Sequence, residues 1–202
     1  PILRSGARPG DRLIHCGVLG WSAAGLHFLR SGAVAPECAS VLPAKGERSA
    51  APNGRAPDGA EAVVAVYKRP NPPVALALAA CAAGRIGALM DVSDGLVRDA
   101  WRMAEASNVG IDIDPAAIKC DVDGLVRVGV RRELAEGMVL SGGEDHGFLA
   151  TTSNSVPEGW RQIGFVRELG PGDERGAGGF VTYGGRNVPK VTGWDHFRAE
   201  RV

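Results

Sequence analysis

The sequence predicts an α/β protein, a mixed β-sheet with helices packed on it, and three observations carry that expectation. Apolar runs with a two-residue alternation are followed by segments of helical period, as in DRLIHC before SAAGLHFLRSG and IGALMDV before SDGLVRDAWRMAEASN. The last third breaks into short apolar runs between glycine turns, WRQIGFVRE and GGFVTYGGRNVPKV, so the sheet is expected to be mixed rather than purely parallel. The 29 glycines form no periodic tract and no internal repeat is visible, which excludes fibrous and solenoid architectures.

Taken in order, DRLIHCGVLG predicts a strand ending in a glycine turn, and SAAGLHFLRSG the helix after it. From Ala35 to about Asp58 the composition turns to Pro, Gly, Ser, Ala and isolated charges, which predicts a mobile surface excursion. EAVVAVYKRP supplies a short apolar run and a proline-marked turn. The next helix begins at Pro72 or Pro73, because the first turn of a helix has spare N–H groups, and Gly84 ends it. IGALMDV is then a strand, SDGLVRDAWRMAEASN a helix, VGIDID a strand, and PAAIKCDVDGLVRVGVRRELAEG helix and turn. MVLSGGEDHGFLATT is expected to be a strand, a glycine turn, and a second strand or helix start.

A chain of 202 residues is long enough for a substantial core. Lys plus Arg equals Asp plus Glu at 23 each, so no basic footprint argues for nucleic acid and none for an anionic membrane surface. Cys16, Cys38, Cys81 and Cys120 lie far apart, without a C-x-x-C pair or a histidine at zinc-finger spacing, which points to neither a metal finger nor a disulfide framework. A reducing cytoplasm is the expected home, since no apolar run spans a bilayer and the start, PILRSGARPGD, lacks a secretory core. Opening at Pro1 within a turn-rich stretch, the chain is expected to be part of a longer protein.

The stretch RIGALMDVSDGL runs an apolar segment into two carboxylates, Asp91 and Asp94, an expensive arrangement unless something binds them. With Met90 to Val92 ending a strand and Ser93 or Asp94 capping a helix, the two acids emerge at the strand's carboxyl end beside free N–H groups. Hard carboxylate oxygens there suit Mg²⁺, and the helix start with the Ser93 hydroxyl suits phosphate. For a lone S-D-G the plainer reading is a helix cap beside a strand-end acid. A calcium loop fails, because counting from Asp91 the glycine falls at position five and Arg102 stands where a bidentate Glu is required.

In LSGGEDH, paired glycines let backbone approach a ligand and present Glu144 and Asp145; the alternative is a hairpin turn with solvated acids. TGWDHF places Trp194 and Phe197 near the terminus, where an aromatic ring stacks on a heterocycle or caps the core. Arg4 either pairs with phosphate or is a solvated charge. No G-x-x-x-x-G-K-[ST] loop is present, so a P-loop site is excluded.

In this order, RSGARPGD, GVLGWSAAGL, RPNPPVALALA, MDVSDGL, LSGGEDH and GWDHF resemble bacterial thiamine-monophosphate kinases, of the aminoimidazole ribonucleotide synthetase-like superfamily. The resemblance covers nearly the whole chain apart from the 35–58 excursion. It implies a cytoplasmic, homodimeric enzyme that uses ATP and Mg²⁺ to phosphorylate thiamine monophosphate to thiamine diphosphate by direct in-line transfer. By the same resemblance, Asp91 and Asp94 are Mg²⁺ ligands, Arg4 and Ser93 contact ATP, and Glu144 and Trp194 contact the thiamine substrate, with Phe197 a rival to Trp194. Trp21 and His146 depart from the residues common at their positions.

The resemblance further implies that residues 1–202 are the C-terminal, substrate- and ATP-binding domain, and that an acidic N-terminal ATP-binding domain precedes them. Two other readings stay open: a selenophosphate or purine-pathway synthetase of the same superfamily, or a detached domain that binds without catalysis.

Overall fold

A computed structural model describes residues 1–32, 59–170 and 178–190. Among these residues seven strands form one sheet: β1 (Arg12–Cys16), β2 (Leu89–Val92), β3 (Val109–Ile113), β4 (Gly147–Thr152), β5 (Arg161–Arg167), β6 (Gly179–Tyr183) and β7 (Arg186–Asn187). Their order across the sheet is β2-β4-β1-β5-β3-β6-β7. Only the β3–β6 pair is parallel and every other pair is antiparallel, so the sheet is mixed, as the glycine-punctuated last third predicted. Six helices accompany it among the described residues: α1 (Trp21–Arg30), α2 (Ala60–Lys68), α3 (Val74–Ala82), α4 (Leu96–Ser107), α5 (Pro115–Arg127) and α6 (Arg132–Ser141). None is long and apolar enough to cross a membrane.

The larger core lies on one sheet face. Leu13, Val92, Ile111, Ile113, Leu149 and Ile163 project from the strands, and Leu96, Trp101, Met103, Ile118, Leu125 and Val139 meet them from α4, α5 and α6. The alternating residues of β1 and β4 serve the other face, where Ile14, Cys16 and Ala150 pack with Ala77 and Ala80 of α3 and with Trp160. The centre of the sheet is therefore covered on both sides, which explains why β1 is almost continuously buried rather than alternating.

One segment differs from expectation, and a second, read only as a short apolar run, takes its form from packing. The apolar run EAVVAVYK is helix α2; Val63 and Val64 are fully buried, and α1 comes so close that a Cβ on Gly25 would stand 2.3 Å from the Val63 carbonyl oxygen. MVLS, expected as a strand, is the last turn of α6, its apolar side chains Met138 and Val139 buried. In runs this short, apolar character alone does not separate helix from strand, and packing against neighbouring helices decides. The helix expected at Pro72 or Pro73 begins after Pro73, and Gly84, at φ +65°, ends it with its N–H on the Cys81 carbonyl. The 35–58 excursion lies outside the described residues.

A candidate site at the carboxyl ends of β1 and β2

Strands β1 and β2 are both antiparallel to β4, so their carboxyl ends meet its start. The ladder fixes the register: Val92 faces Gly147 and Asp91 faces Phe148. Beyond it the pairing continues through loops, with the His146 N–H on the Val92 carbonyl (3.1 Å) and the Glu144 N–H on the Ser93 carbonyl (2.8 Å). The MDVSDGL turn and the SGGEDH loop, distant in sequence, thus lie side by side. Gly95 makes this possible: at φ +113° it starts α4, and a Cβ there would stand 2.8 Å from the Ser141 carbonyl oxygen at the end of α6.

A third segment joins through Asp145, which is buried and accepts the Gly20 N–H at 2.5 Å and the Ser22 N–H at 2.7 Å, at the N-terminus of α1. The Ser22 hydroxyl donates to the Glu144 carbonyl at 2.8 Å. Burial pushes the Asp145 carboxyl up to about 7, while the Ser22 and Gly20 amides pull it down. On either side of Asp145, Glu144 and His146 sit at φ +68° and +53°, a left-handed conformation that costs a non-glycine residue about 1–3 kcal/mol. The loop holds this strain because two backbone–backbone bonds, the Ser22 hydroxyl on the Glu144 carbonyl and one buried carboxylate over-determine it.

Asp91 is exposed, on the α3 face of β2 with Phe148 and, one strand further, Cys16. Asp94 is mostly covered, its side chain 16% exposed, and forms an ion pair with the Arg102 guanidinium. The second contact of that guanidinium is Asp99, at 2.7 Å. Asp99 is fully buried and also accepts the N–H groups of both Ser93 and Asp94, each at 3.0 Å.

This corrects the expectation that the turn offers free amides to phosphate and that Ser93 or Asp94 caps the helix. Gly95 holds the cap position without a side-chain bond, and the two amides before it are already taken. Burial raises the Asp99 carboxyl, against the pull of the Asp94 amide and the Arg102 guanidinium; burial opposes the Arg102 charge, yet the two carboxylates raise its pKa.

Glu144, whose carboxylate is 3.4 Å from the His146 ring, lines a cavity of about 700 Å³ with Ser22, Leu26, Tyr67, Lys68 and Met138. Asp91 and Asp94 do not line it. Arg4 is exposed at the opposite end of β2: the carbonyl of Leu3 accepts the Leu89 N–H, and that of Arg4 accepts the Ser107 hydroxyl. Trp194 and Phe197 lie outside the described residues.

No group of three or more His, Cys, Asp or Glu side chains placed to hold a metal occurs among the described residues. Two carboxylates nevertheless fit Mg²⁺, which usually takes one or two from protein and fills its octahedron with water and phosphate oxygens. Asp94 is ion-paired with Arg102 in this structure.

The fold and this site define an α/β domain that gathers acids at the carboxyl ends of parallel-running strands. The chain belongs to the family of AIR synthase related protein, C-terminal domain, which residues 8–158 match. It is 41% identical to thiamine-monophosphate kinase of Mycobacterium tuberculosis over 194 residues, covering 91% of this chain and 50% of that protein. With the Corynebacterium glutamicum enzyme of the same name it shares 34% over 160 residues, 79% of this chain and 42% of that one.

Among solved structures, "AaThiL complexed with AMPPCP and TMP" matches at TM-score 0.65 and 29% identity, over 97% of this chain and 54% of that one. Thiamine-monophosphate kinase from Stenotrophomonas maltophilia K279a matches in fold at TM-score 0.67 and 24% identity, over 93% and 54%. The chain spans about half the length of the curated relatives it matches.

Proposed function

We propose that this chain is the substrate- and metal-holding part of a thiamine-monophosphate kinase, which transfers the γ-phosphoryl group of ATP to thiamine monophosphate. Relatives of that name over most of the chain support the reading, and one observation carries it: the Glu144–Ser93 backbone bond, which sets the motif expected to hold metal and ATP against the motif expected to hold thiamine. The enzyme is expected to be cytoplasmic and homodimeric, with an N-terminal domain supplying the rest of the ATP site.

Donor and acceptor are both anions, so the task is electrostatic alignment rather than nucleophile activation. Mg²⁺, when bound, supplies the positive charge that neutralises the crowded oxygens. Asp91 and Asp94 hold that charge at the strand end. The Ser93 hydroxyl, on a turn fixed by Asp99, is offered to ATP; Arg4, at the other end of β2, does not share that turn and is assigned no ATP contact. Glu144, held by its backbone in the lining of the 700 Å³ cavity, and Trp194 position the thiamine moiety. The acceptor phosphate is largely ionised at neutral pH, so no dedicated base is required and no covalent intermediate forms.

A coupled assay of the full-length protein with ATP, Mg²⁺ and thiamine monophosphate tests the reading. Formation of ADP and thiamine diphosphate is expected. Turnover of selenide or a purine precursor instead, or binding of thiamine phosphates without turnover, overturns it.

A further inference from the structure

Arg102 stands against Asp94, one of the two carboxylates read above as metal ligands. Its guanidinium bridges two carboxylates, Asp94 on the turn after β2 and Asp99 one helical turn before it on α4, and it is itself 37% exposed. Asp99 does two jobs: it fixes the Ser93 and Asp94 amides, and it anchors Arg102 beside Asp94. A divalent cation approaching Asp94 meets a fixed positive charge in contact with the same carboxylate, and two cations at ion-pair distance repel.

We propose that Arg102 is a positioning residue, an internal counter-cation that holds Asp94 in the metal-free protein and must release it when a divalent ion binds. The Asp94–Arg102–Asp99 triplet thereby sets the metal concentration the site responds to. Release is cheap because Arg102 keeps its Asp99 partner throughout: the guanidinium has five donors and uses separate nitrogens for the two acids. Asp94 is in turn never left as an uncompensated, mostly covered charge, since one cation replaces the other. This inference rests on Asp94 being a metal ligand.

The test measures binding of Mn²⁺ alone to the full-length protein by calorimetry and by the free-ion electron paramagnetic resonance signal. Arg102→Gln keeps a donor for Asp99 and removes the charge; it is expected to tighten Mn²⁺ binding about tenfold, within the attraction one competing charge exerts at a partly exposed site. Arg102→Lys, which retains the charge, is expected to stay near the parent. Adding Asp94→Asn to Arg102→Gln is expected to abolish the gain.

Unchanged or weaker Mn²⁺ binding by a folded Arg102→Gln, with Asp94→Asn weakening the parent, overturns the counter-cation while leaving the metal site standing. If Asp94→Asn does not weaken the parent, the metal-ligand reading itself falls. A second measurement needs no variant: the Arg102 side-chain ¹⁵N resonances of the parent are expected to shift as Mg²⁺ saturates, and resonances unmoved at saturation overturn the proposal.

Discussion

Asp145 and Ser22, 123 residues apart in the chain, are joined by a 2.7 Å hydrogen bond from the Ser22 amide to the Asp145 carboxylate, and Gly20 donates to the other oxygen. Through that one buried side chain the SGGEDH loop is tied to the start of α1, and the position of Glu144 follows from the tie.

The tie titrates. Asp145 is raised from 3.8 to about 7, chiefly by burial, so between about pH 4 and pH 7 the folded protein binds a proton that the unfolded chain does not. Stability contributed by protonated Asp145 is therefore present at low pH and lost as pH rises through about 7, with a span of about 4 kcal/mol. In Asp145→Asn, denaturant unfolding should show this slope gone. The variant should also be less stable at pH 8, where the parent carboxylate accepts both backbone N–H groups, by about 1–3 kcal/mol, because an amide NH₂ then faces a backbone donor. An unaltered pH profile would show that the loss lies elsewhere.

His15 supplies the opposite slope. It is fully buried in β1, neither ring nitrogen has a hydrogen-bond partner, and burial, followed by the charge of Arg161, holds its pKa well below 6.5. Below pH 6.5 the unfolded chain takes up a proton that the folded ring refuses, so stability falls as pH drops from 6.5 toward the folded value. His15→Leu removes two unsatisfied nitrogens and should gain about 1 kcal/mol at neutral pH while flattening this acid limb. A variant that is destabilised at pH 7, with the limb intact, would contradict the account.

Much of the fold was legible because its elements are locally consistent. β1 with α1, β2 with α4, and β3 with α5 each carry a strand, a turn signal and a helical period in sequence, and the structure forms all of them. α2 and the last turn of α6 were not, because EAVVAVYK and MVLS are short apolar runs whose conformation is set by neighbours far along the chain. The site divides in the same way. Asp91, Ser93, Asp94 and Glu144 stand out locally as polar residues beside glycine turns, and the resemblance gave them roles.

Asp145, expected to be presented beside Glu144, is instead turned inward, and that role was illegible because its partners lie more than a hundred residues away. Asp99 and Arg102 did leave a signal, an acid and a base three apart on one helix face, but such pairs are common and usually solvated. What distinguishes this one is the complete burial of Asp99, which only the packed structure reveals.

Glu144 should show function opposed to stability. At φ +68° its backbone is strained, and its N–H to Ser93 and its carbonyl to Ser22 remain available to any residue. Glu144→Gly should therefore melt at or above the parent temperature, a gain of about 1 kcal/mol, since glycine adopts this conformation without steric cost. Its KM for thiamine monophosphate should rise at least tenfold, with that for ATP little changed. A Glu144→Gly protein that is less stable, or kinetically like the parent, would refute one half or the other.

Asp91 is exposed at the end of the edge strand β2, where its backbone pairs with Phe148, and so should tolerate replacement structurally. Asp91→Asn is isosteric and keeps the strand; its melting temperature is expected to stay within the small range typical of surface substitutions, about 0.5 kcal/mol. Turnover is expected to fall at least a hundredfold, the scale of losing one electrostatic contact to a transferring phosphoryl group. Raising Mg²⁺ should recover part of the loss if the carboxylate holds metal, because occupancy is then the deficient step. Full turnover at saturating Mg²⁺ with an unchanged Mg²⁺ requirement would remove Asp91 from the metal site and leave Asp94 as its only carboxylate on β2 and its turn.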